Sequence, residues 1–125
     1  MEMLNRVILM GRLTADPELR STQSGTSVVQ FTIAVERGYA KEGQEKQTDF
    51  IQCVGWKQTA EFISKYFRKG RMIAVEGSIQ TRNYEDKQGN KRTAVEVIVS
   101  NVSFTGERKD DNSEPSEYDE IPVPF

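Results

Sequence analysis

Phe50 and Trp56 stand six residues apart in an alternating stretch, and Tyr39 and Tyr84 stand in polar segments beside Arg37 and Lys41 and beside Arg82 and Lys87. Flat rings offered to solvent can stack on other π-faces. A nucleobase is such a face whatever its identity, and stacking is worth roughly 1–3 kcal/mol per base. Cations surround the same segments: Arg6, Arg12, Arg20, Arg37, Lys57, Lys69, Arg71, Arg82, Lys91 and Arg92. Each can neutralise a phosphate and release counterions. The plainer readings are a barrel core for the rings and mere solubility for the scattered cations. Spacing alone leaves core and surface open for Phe50 and Trp56. The interleaving of rings with cations is what a single-stranded polynucleotide requires and a duplex-reading helix does not.

Charge is divided along the chain. Residues 107–125 carry seven carboxylates against two basic side chains, whereas residues 1–106 carry fifteen Lys and Arg against twelve Asp and Glu. The net charge of −2 thus combines a body of +3 with a tail of −5, and the two parts attract different partners. Mutual repulsion is expected to leave the tail disordered, so that a partner must order it on binding. Its apolar tip, Ile121-Pro122-Val123-Pro124-Phe125, puts a ring beside the terminal carboxylate, and a basic pocket can hold both. A solubility tail is the competing reading.

Composition also narrows the chemistry. With no histidine and one cysteine, Cys53, one chain can form neither an internal disulfide nor a thiolate–imidazole zinc site. Histidine base chemistry and a Cys–His nucleophile pair are excluded too. The carboxylate pairs Glu42 with Glu45 and Glu85 with Asp86 could serve a metal-dependent nuclease, but they lie in charged segments and read as solvated loops. No enzyme, metal or cofactor is expected. The start lacks the apolar run of a signal peptide, and no segment approaches the roughly 20 apolar residues that cross a bilayer. A cytoplasmic protein with no membrane partner is expected.

The elements that must position these residues follow from periodicity. Strands are predicted over 4–13, 29–36, 49–56, 72–79 and 93–104, the last with Val95, Val97 and Val99 in one phase. In the third strand Ile51 and Cys53 share a face, while Phe50, Gln52, Val54 and Trp56 share the other. Between 58 and 69 the period changes to helical, with Thr59, Phe62, Ile63, Tyr66 and Phe67 as one stripe. Lys65, Arg68 and Lys69 are expected in its last turns and Gly70 at its C-cap. Residues 14–28 read as a turn-rich connection containing Asp16-Pro17 and Ser24-Gly25, and residues 82–92 as a long hairpin loop. Three strands, one helix and two strands is the order of an OB-fold: an all-β, five-stranded, partly open Greek-key barrel. One domain over 1–106 and a tail over 107–125 are expected.

The ordered segments Leu4-Asn5-Arg6-Val7-Ile8-Leu9, Gly11-Arg12-Leu13, Asp16-Pro17-Glu18-Leu19-Arg20, Thr48-Asp49-Phe50, Ala60-Glu61, Lys69-Gly70, Glu76-Gly77 and Gln80-Thr81-Arg82-Asn83-Tyr84 resemble the bacterial single-stranded DNA-binding protein family. The resemblance covers Met3 to about Phe104, with the terminal tip beside it. It implies an OB-fold that stacks bases on Tyr39, Phe50, Trp56 and Tyr84, and so resolves Phe50 and Trp56 in favour of exposure. It also implies a homotetramer with the strand wound around the outside. The expected work is protection of single-stranded DNA in replication, recombination, repair or DNA uptake, in the cytoplasm and at the nucleoid. Replication, recombination or repair proteins would be recruited through Asp119, Glu120, Ile121, Pro122 and Phe125. The chain departs from the family pattern in its short tail and in Val123-Pro124 before Phe125. An OB-fold binder of single-stranded RNA is the alternative, since stacking does not distinguish the sugars.

Overall fold

The computed structural model describes residues 3–38 and 42–106. Six strands and one helix follow in the order β1 (Val7–Leu13), β2 (Glu18–Ser21), β3 (Ser27–Glu36), β4 (Thr48–Trp56), α1 (Lys57–Tyr66), β5 (Met72–Glu85) and β6 (Lys91–Ser103). Pairing closes a ring in the order β1-β3-β4-β6-β5-β1, in which only β4 and β6 run parallel. This is the OB-fold barrel, and closure removes most raw sheet edges.

The expected connection over 14–28 instead contains β2. Both β1 and β2 pair with β3, first at Arg12–Ala34 and Leu13–Ile33, then from Glu18–Gln30 to Ser21–Ser27, with a two-residue slip between the two runs. They form one long strand broken at Asp16-Pro17. Proline has no N–H for the ladder, and Thr14 still donates to the Thr32 carbonyl at 3.0 Å, so the break falls at residues 15–17.

The core is built from alternate positions of the strands. Val29, Phe31 and Ile33 of β3, Cys53 of β4, Ile73 and Val75 of β5, and Val97 and Val99 of β6 all point inward. Helix α1 closes one end with Ala60 and Ile63, and fully buried Phe67 follows it. Phe67 stacks on Phe104 at 5.3 Å between ring centroids, with Phe62 tilted against both.

Gly77 permits the curvature of the barrel wall. Next to it Ser100 is an extra residue of β6, between the pairs Gly77–Val99 and Glu76–Asn101, and its hydroxyl donates to the Glu76 carbonyl at 3.0 Å. A Cβ on Gly77 would lie 2.0 Å from the Ile98 carbonyl oxygen. Only glycine lets the bulged strands approach this closely.

Three sequence expectations are corrected. The helix ends at Tyr66, so of the three expected cations only Lys65 lies in its last turn. Gly70, at φ +85°, instead serves the turn closed by the bond from Arg71 N–H to the Arg68 carbonyl, and its own N–H donates to Leu13. The first strand starts at Val7 because the Asn5 side chain takes over main-chain pairing, donating to and accepting from the backbone of Ile79 at 2.8 and 2.9 Å. Lastly, residues 82–92 are mainly strand: β5 and β6 stay paired from Arg82–Ala94 to Glu85–Lys91, leaving only residues 86–90 as a turn. This ribbon runs past the barrel, since β4 pairs with β6 only at residues 97–99. Val95 is therefore exposed although Val97 and Val99, in the same phase, are buried.

Candidate nucleic-acid interface

The outward face of the barrel is defined by register, since residues directly opposite one another in a ladder point the same way. One row runs Arg20–Val28–Trp56 across β2, β3 and β4, and another runs Arg12–Ala34–Phe50 across β1, β3 and β4. On the ribbon Tyr84 lies opposite Arg92, and the Arg82 guanidinium sits 5.4 Å from the centre of the Tyr84 ring. Phe50 is 67 % exposed, Trp56 42 % and Tyr84 43 %. The structure thus puts these three rings on one solvent-facing surface, Tyr84 beside Arg82 and Arg92, and Trp56 and Phe50 each in a row with an arginine two strands away. Tyr39 lies outside the described residues, as do Asp119, Glu120, Ile121, Pro122 and Phe125.

The cations divide into groups that the sequence did not distinguish. Among the described residues Arg20 pairs with Glu18 at 2.6 Å, Arg37 with Asp49 at 3.0 Å, Arg82 with Glu96 at 3.0 Å and Arg92 with Asp86 at 3.1 Å. The exposed pairs add little stability and can exchange a carboxylate for a phosphate. The hydrogen bond from Arg37 holds the Asp49 carboxyl below its ordinary range. Asp86 is likewise lowered, first by the Asn90 N–H and then by Arg92 and the Gln88 N–H, which ties the ribbon turn together. Arg12 donates to the Gly70 carbonyl at 3.0 Å. Arg71 is set apart, lying over the Phe67 and Phe104 rings at 5.6 and 5.4 Å. Arg6, Lys57, Lys69 and Lys91 are exposed and form no ion pair among the described residues. Lys57 follows Trp56 directly and holds φ +57°, a left-handed conformation that a side chain normally avoids.

Between the rings lies a groove of about 380 Å³, lined by residues that sequence reasoning did not single out, among them Gln30, Thr32, Gln52 and Glu96. Gln52 alternates in phase with Phe50 and Trp56, so its face was legible. Glu96 is 8 % exposed, and nothing in its local pattern signalled that burial. Cys53 packs inward behind the groove, and desolvation pushes its thiol up to about 12, leaving it protonated and unreactive near neutrality. No cluster of potential metal ligands occurs among the described residues. No helix among them is long and apolar enough to cross a membrane.

Residues 4–105 match the family described as "Single-strand binding protein family". The chain belongs to that family. It is 46 % identical over 112 residues to "Single-stranded DNA-binding protein 2" of Listeria monocytogenes, covering 90 % of this chain and 69 % of the relative. "Single-stranded DNA-binding protein 1" of Staphylococcus aureus is 44 % identical over 116 residues, 93 % of this chain and 74 % of the relative. "Single-stranded DNA-binding protein A" of Bacillus subtilis is 43 % identical over 118 residues, 94 % of this chain and 69 % of the relative.

Proposed function

We propose that this protein binds and protects single-stranded DNA without strong sequence preference, by stacking bases on Tyr39, Phe50, Trp56 and Tyr84 while flanking cations hold the phosphates. The observation that carries this reading is the exposure of Phe50, Trp56 and Tyr84 on one face, each in a register row with an arginine. Stacking is indifferent to base identity, and phosphate neutralisation makes the complex salt-dependent. The work is non-enzymatic and serves replication, recombination, repair or DNA uptake in the cytoplasm and at the nucleoid. Residues 1–106 act as the binding domain. Residues 107–125 act as a recruiting tail, with Asp119, Glu120, Ile121, Pro122 and Phe125 as its docking tip.

Self-association to a homotetramer is part of the same proposal. Residues 7–10 of β1 pair with β5 on one side, whereas pairing to β3 begins only at Arg12. That stretch presents Ile8 at 72 % and Met10 at 57 % exposure beside a ladder edge that no strand among the described residues pairs with. Apolar side chains beside open N–H and C=O groups suit pairing with another copy. Four copies also multiply the phosphate sites available to one strand.

The test is a titration of Trp56 fluorescence, Trp56 being the only tryptophan, with single-stranded DNA, duplex DNA and single-stranded RNA of equal length at several salt concentrations. Quenching by single-stranded DNA that weakens steeply with salt is the expected result. Trp56→Ala should cost roughly 1–3 kcal/mol of binding while the barrel stays folded, as the ring is on the surface. Equal binding of duplex without quenching would overturn the reading, and tighter binding of RNA would redirect it.

A further inference from the structure

The groove between the rings is floored by an acid, an unusual group to find where a polyanion is bound. Glu96 projects from β6 on the outward face, opposite Gln80 of β5 and one residue before the Val97–Cys53 pair that joins β6 to β4. Its side chain is only 10 % exposed. Among the described residues its one hydrogen bond is from Arg82 Nε to Oε1 at 3.0 Å. No buried side-chain oxygen or nitrogen among them lacks a partner, so Oε2 keeps some access to solvent, and Glu96 is one of the residues that line the groove. The neighbouring lining groups Gln30 and Gln52 make no side-chain hydrogen bond among the described residues. An amide both donates and accepts, and so tolerates any base edge. An ionised carboxylate only accepts.

We propose that this groove is a base-edge pocket in which Glu96 Oε2 accepts a hydrogen bond from an exocyclic amino group, favouring cytosine, adenine or guanine over thymine at that position. The inference rests on the single-stranded DNA reading and adds selectivity to it. Arg82 holds the carboxylate in place from the rim, where its guanidinium also lies against Tyr84. Phosphates are repelled from the acidic floor, so the strand enters base-first with its backbone toward the peripheral cations. Cytosine then presents its N4 amino donor to the carboxylate. Thymine has no amino group, and its one donor, N3–H, is flanked on both sides by carbonyl oxygens that repel a largely desolvated carboxylate. The more exposed Glu18–Arg20 pair on the groove wall competes with water and discriminates little.

The test compares homopolymers of roughly eight nucleotides, within the span of one OB-fold, on the full chain and its Glu96→Gln variant, using Trp56 fluorescence. Stacking strength and strand flexibility differ between oligo(dC) and oligo(dT) in both proteins, so the readout is how their affinity ratio changes. Glu96→Gln should shift that ratio toward oligo(dT) by about fivefold or more, the range of one discriminating base contact. An unchanged ratio in a folded variant would overturn the proposal. Should circular dichroism show the variant unfolded, oligo(N4,N4-dimethyl-dC) decides on the unaltered protein. It lacks the amino hydrogens, so weaker binding than oligo(dC) supports the pocket and equal binding overturns it. If no single strand binds at all, the single-stranded DNA reading fails first and this inference with it.

Discussion

Lys57 is the residue at which strain and ligand chemistry meet. It adopts φ +57° as the first residue of α1, next to exposed Trp56, which supplies no side-chain cap to the helix. A left-handed conformation costs a non-glycine residue roughly 1–2 kcal/mol. Lys57→Gly should therefore raise the urea midpoint, with a net gain of up to about 1 kcal/mol once the extra chain entropy of glycine is subtracted. The same change removes an ammonium beside the stacking ring. The slope of log affinity against log salt should fall by about one unit. A lower midpoint would show that the left-handed turn carries no strain, and an unchanged slope would remove Lys57 from the phosphate set.

At the scale of elements, the β5–β6 pair has two parts with different tolerances. At the barrel wall Gly77 faces backbone: an added Cβ would meet the Ile98 carbonyl oxygen at 2.0 Å and its carbon at 2.8 Å. Main chain on both sides cannot yield as a flexible side-chain tip would. Gly77→Ala should cost about 3 kcal/mol or more and bring incomplete folding. Gly89, in the ribbon turn, also has positive φ, at +83°, but an added Cβ there meets nothing within 4 Å. Gly89→Ala should cost only the backbone term of about 1 kcal/mol. Thermal unfolding of the two variants checks the contrast, and equal losses would refute the close approach at the bulge.

The whole molecule joins a basic barrel to an acidic tail, and the two should separate experimentally. Mass measurement in solution should give about four times the 14.2 kDa chain. The double variant Ile8→Lys with Met10→Lys should lower that mass, because it puts cations on the exposed face of the β1 edge and disfavours pairing there. A monomeric parent protein would end the tetramer proposal. Deleting residues 119–125 should leave single-stranded DNA affinity unchanged, or slightly raised at low salt, while abolishing capture of replication or repair partners. Loss of DNA binding would instead make the tail part of the binding surface.

Local pattern carried much of this protein. Alternation in 49–56 put Phe50 and Trp56 on one face because successive strand side chains point to opposite sides, and the change of period after Trp56 marked the helix. The segments resembling single-stranded DNA-binding proteins supplied the family. Partnerships between distant strands were not legible, since ladder register depends on pairing that no local spacing encodes. Only the folded barrel sets Arg20 in a row with Trp56 and Arg12 in a row with Phe50. The β2 strand was hidden by Asp16-Pro17, whose turn chemistry breaks a strand that β3 then holds in line. Residues 82–92 looked like loop because their side chains are polar on both faces, yet backbone pairing alone extends the ribbon. Glu96 shows the division most sharply. In sequence it is one charge between two valines, and the convergence of β4, β5 and β6 makes it a buried acceptor, bonded to Arg82 and lining the groove.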